Sequence, residues 1–120
     1  MRALRVVLFV AIMAVLAVAV WVSAPSEPPE PPPTLSGRLD VHPLGTTSAD
    51  NGYLAHLPPT YGDGVPRPLL VFWHGSGENG DGRGDLPWVA KNGPPMLVDQ
   101  GHWPADRDWV VLSPQHDGRG

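Results

Sequence analysis

The chain has 120 residues, a formal net charge of −4 and no cysteine. This length allows one folded domain at most, and the lack of cysteine excludes both structural disulfides and a lipid-modified cysteine. Stability must therefore come from a packed core, a bound ion or a partner. Because the net charge is mildly acidic and there is no basic patch, a nucleic-acid partner is not expected.

The first segment of the chain has the pattern of an export signal. Two arginines precede an unbroken apolar run over residues 6–22, as in the first two regions of a secretory signal peptide. A run of about 17 apolar residues also reaches the lower limit for spanning a bilayer. Small residues before Pro25 suit signal peptidase, whereas a proline directly after the cut does not. Residues 1–24 are therefore interpreted as either a signal peptide or an N-terminal membrane anchor. The remainder is expected to be extracytoplasmic, either secreted or anchored.

A proline-rich stretch follows the apolar run. Residues 25–33 read PSEPPEPPP, and such a sequence favours extended polyproline II and acts as a semi-rigid spacer. We interpret residues 25–48 as a linker and lead-in, and residues 49–120 as the folded domain. Contact with a membrane is expected only through the N-terminal segment.

Three stretches of the domain predict β-strands: GYLAHL at residues 52–57, PLLVFW at 68–73 and WVVLS at 109–113. The second and third are continuously apolar, which is typical of parallel strands covered on both faces. The long segment between them contains two short helical stretches, LPWVAKN and PMLVDQ, and Pro95 is expected to open the second. Parallel strands joined by such a crossover predict an α/β layer architecture.

The loop HGSGENG at residues 74–80 satisfies the pattern G-x-G-x-x-G directly after a predicted strand. A dinucleotide-binding loop needs its third glycine inside a helix, yet the next residues, DGRGDLP, oppose one. A phosphate-binding loop would need lysine where Asp81 stands. A calcium loop would place Arg83 at a ligand position and Ala90 at the glutamate position, so a metal-binding loop at residues 79–85 is a third possibility only. No nucleotide, metal or other cofactor is expected.

Acyl-transfer enzymes also need a glycine loop after an inner strand, because bare backbone N–H groups there stabilise charge on a reacting carbonyl oxygen. PLLVFWHGSGENGDG, then NGPPMLVDQG, then WVVLSPQ together resemble the N-terminal part of an α/β-hydrolase. They are most similar to exported esterases of the phospholipase/carboxylesterase and polyhydroxybutyrate-depolymerase or feruloyl-esterase groups. The resemblance spans residues 52–115. It implies a serine hydrolase acting on a small-molecule or polymer ester through an acyl-enzyme.

The resemblance also implies roles for the loop residues. The backbone N–H groups of Ser76 and Gly77 correspond to oxyanion-hole donors, with Gly75 helping to shape the loop. His74 is expected to hold the loop by hydrogen bonding rather than to abstract protons. Glu78 corresponds to the loop carboxylate of the family, which pairs with a local amide or arginine or touches substrate.

The catalytic nucleophile is missing from the sequence. The motif G-x-S-x-G fails at Ser76, because histidine and glutamate occupy its outer positions. In the family the nucleophile, acid and histidine follow the oxyanion strand in that order, so His102, His116 and Asp117 come too early. The chain alone is therefore expected to be inactive and its sheet incomplete, with an unpaired strand edge. We interpret it as a truncated gene product, a partial gene model or half of a split gene, which has a missing C-terminal half as its partner.

A second interpretation is a membrane-tethered, non-catalytic binding module whose tryptophans contact a polymer surface. The first interpretation instead expects most tryptophans to lie in the core. The residues concerned are Trp73, Trp88, Trp103 and Trp109.

Overall fold

The computed structural model describes residues 27–119, so the expected signal or anchor at 1–24 lies outside the described part. Residues from Pro31 onward form one compact unit. Among residues 27–119, no helix is long and apolar enough to cross a bilayer.

The unit is a small α/β domain built on a four-stranded mixed sheet. The strands are β1 (Asp40–His42), β2 (Tyr53–His56), β3 (Leu69–Val71) and β4 (Val110–Pro114), in the order β1-β2-β4-β3. β3 and β4 are parallel, as the long crossover predicted, whereas the other neighbours are antiparallel. The three expected strands are confirmed. β1 was missed, because its three residues lie in the proline-rich lead-in and carry no apolar pattern.

The crossover from β3 to β4 contains three short helical segments. Two are 3₁₀ helices, Ser76–Glu78 and Leu86–Lys91, and the third is the α-helix α1, Gly93–Asp99. The helix α1 therefore begins two residues before Pro95, with both prolines of the Gly-Pro-Pro sequence in its first turn, where their missing N–H groups have no intrahelical role. Gly93 has a φ of +64°, and a Cβ there would lie 2.5 Å from the Phe72 ring. Only glycine fits this close approach of helix to strand.

The core lies on one face of the sheet. Leu54 of β2 is fully buried, and both longer helical segments pack against it. The cluster consists of Leu39, Leu54, Leu86, Val89, Ala90 and Val98. Because β2 and β4 are in register, Val111, Ser113 and then Gln115 point to this same covered face.

The opposite face is open at β3. Leu69, Val71 and Trp73 are 60%, 52% and 60% exposed, and alternation along the strand puts all three on one side. The expectation that this strand is covered on both faces was therefore wrong for the described residues. Its continuous apolar run is real, but the helices of residues 86–99 cover only one side.

Candidate functional site

The His-Gly loop, residues 74–80, lies at the carboxyl ends of the two parallel strands. The ladder continues past β3, where the Phe72 N–H donates to the Leu112 carbonyl at 2.8 Å, and the chain then turns into the loop. At the far end of the loop, the Gly80 N–H donates to the His116 carbonyl, just beyond β4, at 3.0 Å. The loop is therefore held at the end of the sheet where open α/β sheets bind their ligands.

Both ring nitrogens of His74 are engaged by the backbone. The His116 N–H donates to His74 Nε2 at 2.8 Å, and His74 Nδ1 lies 2.7 Å from the Gly75 carbonyl oxygen. An acceptor at Nε2 assigns the ring proton to Nδ1, which donates to Gly75. The imidazole thus links the loop to the segment after β4.

The N–H groups of Ser76 and Gly77 stand in the first turn of a 3₁₀ helix, where N–H groups have no intrahelical partner. Neither donates a hydrogen bond to another residue of the described chain, and both residues are exposed. A Cβ at Gly77 would meet no atom within 4 Å. Both N–H groups are therefore without an acceptor among the described residues, and those residues place no steric demand for glycine at Gly77.

The Glu78 side chain points inward rather than toward this space. It is only 8% exposed, and its Oε1 accepts a hydrogen bond from Asn92 Nδ2. A Cβ at Gly75 would lie 3.2 Å from Glu78 Oε2, so the carboxylate lies beneath the loop. This arrangement matches pairing with a local amide, one of the two roles expected for this residue.

Gln115 is the organising side chain that sequence reasoning missed. It is 2% exposed, and its Nε2 donates to the carbonyls of Glu78 and Asp85, both at 2.9 Å. Its Oε1 accepts from the Gly82 N–H at 2.9 Å. One buried amide therefore joins the His-Gly loop to the next turn. The Pro-Gln that ends the strand sequence was the available signal, but the partners of Gln115 are thirty or more residues away in the chain.

Gly80 is required by that amide. A Cβ at Gly80 would lie 2.5 Å from both Gln115 Nε2 and Asp85 Cβ, which is far inside van der Waals contact. Glycine at position 80 is therefore explained by packing of the loop against Gln115 and Asp85.

In residues 79–85, the segment considered as a calcium loop, the Asp81 carboxylate is bonded to nearby backbone N–H groups. Asp81 Oδ1 accepts the N–H groups of Arg83 at 2.7 Å and of Asp85 at 3.2 Å. These hydrogen bonds lower the pKa of the Asp81 carboxyl, and the bond from the Arg83 N–H has the largest effect. Over residues 27–119, no three His, Asp or Glu side chains are grouped as metal ligands would be.

The tryptophans divide between two environments. Trp73 is 60% exposed, on the open face beside the His-Gly loop, with its ring centroid 6.5 Å from that of His116. For this residue the core expectation was wrong. Trp88, Trp103 and Trp109 are half-buried.

Comparison of the chain with models of known protein families finds no match, and comparison with curated proteins finds none either.

Proposed function

We propose that the chain is the N-terminal part of an exported α/β-hydrolase and supplies the oxyanion-hole loop of a carboxylic-ester hydrolase. The observation that supports this most is the position of residues 74–80 at the carboxyl ends of β3 and β4, where the N–H groups of Ser76 and Gly77 donate to no other described residue. Export rests on the arginine-led apolar run at residues 6–22.

In this proposal the two N–H groups act on the ester carbonyl oxygen. As a nucleophile attacks the carbonyl carbon, that oxygen gains negative charge, and donors fixed beforehand stabilise it without reorganising. His74 and Gln115 hold these donors in place. His74 bonds the loop to the backbone after β4, and Gln115 bonds it to the turn that follows the loop. This chemistry requires no cofactor.

The nucleophile must come from polypeptide outside the described residues. Ser76 Oγ makes no hydrogen bond to a described base, so nothing there activates it. Among residues 27–119, β3 pairs with β4 on one side only, and no described strand pairs with its other edge. We propose that the segment bearing G-x-S-x-G, with its acid and histidine, pairs at this edge and covers the open face at Leu69, Val71 and Trp73.

The test begins with the coding DNA beyond Gly120, read for a G-x-S-x-G segment. The chain is then expressed together with that downstream segment as one enzyme. This enzyme is assayed on p-nitrophenyl esters with two variants at position 76. Ser76→Pro removes the backbone N–H at a position where a helix start tolerates proline, and should lower kcat by about 10²- to 10³-fold. Ser76→Ala keeps the N–H and removes only the hydroxyl, so it should retain activity.

Two results would contradict the proposal. One is loss of activity in Ser76→Ala together with retention in Ser76→Pro, which would assign the function to the hydroxyl. The other is a coding region without any G-x-S-x-G segment in any frame.

The exposed Trp73 favours one rival function, a tethered module that binds a polymer surface. That module needs residues 34–120 to stay monomeric alone, whereas an incomplete hydrolase sheet should associate through the open edge of β3. Size-exclusion chromatography of this fragment separates these two outcomes. Retention on insoluble cell-wall polymer should then fall in Trp73→Ala and persist in the half-buried control Trp88→Ala.

A further inference from the structure

A cavity lies at the other end of the sheet from the His-Gly loop. It has a volume of about 420 Å³ and is bounded by the segment after β2, the end of α1 and the loop before β4. None of its lining residues belongs to residues 74–80. Cavities that hold small ligands span about 300–1,000 Å³, so this one suits a compact molecule. Most of the lining is apolar, including Leu57, Pro58, Val98, Trp103 and Pro104.

One wall of the cavity is a fixed aromatic cluster. Trp103 Nε1 donates to the Arg107 carbonyl at 3.0 Å, and the Arg107 guanidinium lies 5.3 Å from the ring centroids of both Trp103 and Trp109. The His56 ring meets Trp103 edge-on, with centroids 6.0 Å apart. Trp103 is therefore held in place on several sides, and a ligand contacting it would not have to order it.

The charged residues of the lining are two arginines and one aspartate. The arginines are Arg38 and Arg107, and neither forms an ion pair with any residue of the described range. Within the described part of the chain, the Arg38 side chain donates to the backbone carbonyl of Asp99, at 3.3 Å, and to no other group. The lining carboxylate, Asp108, is already engaged, since it forms an ion pair with Arg67 at 2.9 Å and accepts from Thr60.

We propose that this cavity binds a small aromatic carboxylate. The ring would occupy the apolar part against Trp103 and the prolines, and the carboxylate would accept hydrogen bonds from the guanidinium groups of Arg38 and Arg107. Arginine suits this role because its planar fork matches carboxylate geometry. A cation would be repelled by both arginines, and a wholly hydrophilic anion would leave the apolar lining in water. The site is independent of the proposed ester hydrolysis.

The experiment titrates the full chain, kept in solution by a neutral detergent, with benzoate. Binding is followed by the indole N–H resonance of Trp103, assigned by its loss in Trp103→Phe. Benzoate should shift this resonance saturably, with a dissociation constant of about 0.1–1 mM. Benzyl alcohol has the ring without the charge and acetate the charge without the ring, so each should bind at least about tenfold more weakly.

Charge-removing variants locate the carboxylate. Arg38→Gln and Arg107→Gln should each weaken benzoate binding by about three- to tenfold. Arg83→Gln, at an exposed arginine outside the cavity, should leave binding unchanged. Because Arg107 also packs on two tryptophans, a melt of each variant accompanies the titration, and Arg38→Gln carries the test if Arg107→Gln unfolds.

The proposal is overturned by an absence of saturable benzoate binding up to about 10 mM. It is equally overturned if benzyl alcohol binds as tightly as benzoate, or if Arg38→Gln and Arg83→Gln bind benzoate as the unmodified chain does. None of these readouts depends on esterase activity, so failure here and failure of the proposed function are separate results.

Discussion

The two faces of the sheet carry similar apolar side chains in different surroundings. On one face Leu54 and Val111 are 0% and 1% exposed, and on the other Leu69 and Val71 are 60% and 52% exposed. The residue types alone do not distinguish these positions. The difference arises because the 3₁₀ helix Leu86–Lys91 and α1 both pack on the first face. The covered face carries the stability of the described domain, and the open face is available for a further layer.

The largest effect should come from a matched pair of leucine truncations. Leu54→Ala should lower the free energy of unfolding by about 2–5 kcal/mol, because it leaves a cavity in the covered core. Leu69→Ala, on the open face, should change it by less than about 0.5 kcal/mol. Urea denaturation of both variants measures the difference. Equal losses would show that a further layer already covers Leu69 in solution.

A second test concerns the polar end of the covered face. Gln115→Ala leaves the carbonyls of Glu78 and Asp85 and the N–H of Gly82 without their buried partner. The expected loss is about 1–3 kcal/mol, with faster amide exchange in residues 74–82. The exposed Gln100→Ala is the control and should be close to neutral. Unchanged exchange in Gln115→Ala would mean that the loop keeps its position without this amide.

The smallest effect should appear in the pH dependence of stability. Burial lowers the pKa of His56, and the nearby Asp40 carboxylate partly opposes this shift. The unfolded chain therefore takes up a proton near pH 6.5 that the folded chain resists. The stabilising contribution of neutral His56 is complete above that pH and declines as the pH falls toward the lower folded pKa.

His56→Gln should flatten this decline. Thermal melts at several pH values between 5 and 8 measure the effect, and the unmodified chain provides the reference slope. A slope that stays the same in His56→Gln would assign the acid sensitivity of the covered face to other groups.

The candidate site could be predicted only in part. The His-Gly sequence after an apolar strand indicated a backbone-donor loop, and its position at the ends of β3 and β4 is what that hypothesis required. The inward direction of Glu78 and its contact with Asn92 could not be read from the sequence, since fourteen residues separate the two. Gln115 was missed for the same reason. A side chain that bonds to three distant backbone groups leaves no local pattern.

The sequence by itself determined the three main strands and the parallel pairing of two of them. Apolar runs bounded by turn residues specify strands locally, and a long crossover with short helical stretches restricts how they pair. Only the tertiary structure decided which face of the sheet is covered, that β1 joins its edge, and which side chains hold the His-Gly loop. These features depend on groups brought together from distant parts of the chain, and periodicity within one strand carries no information about what packs against it.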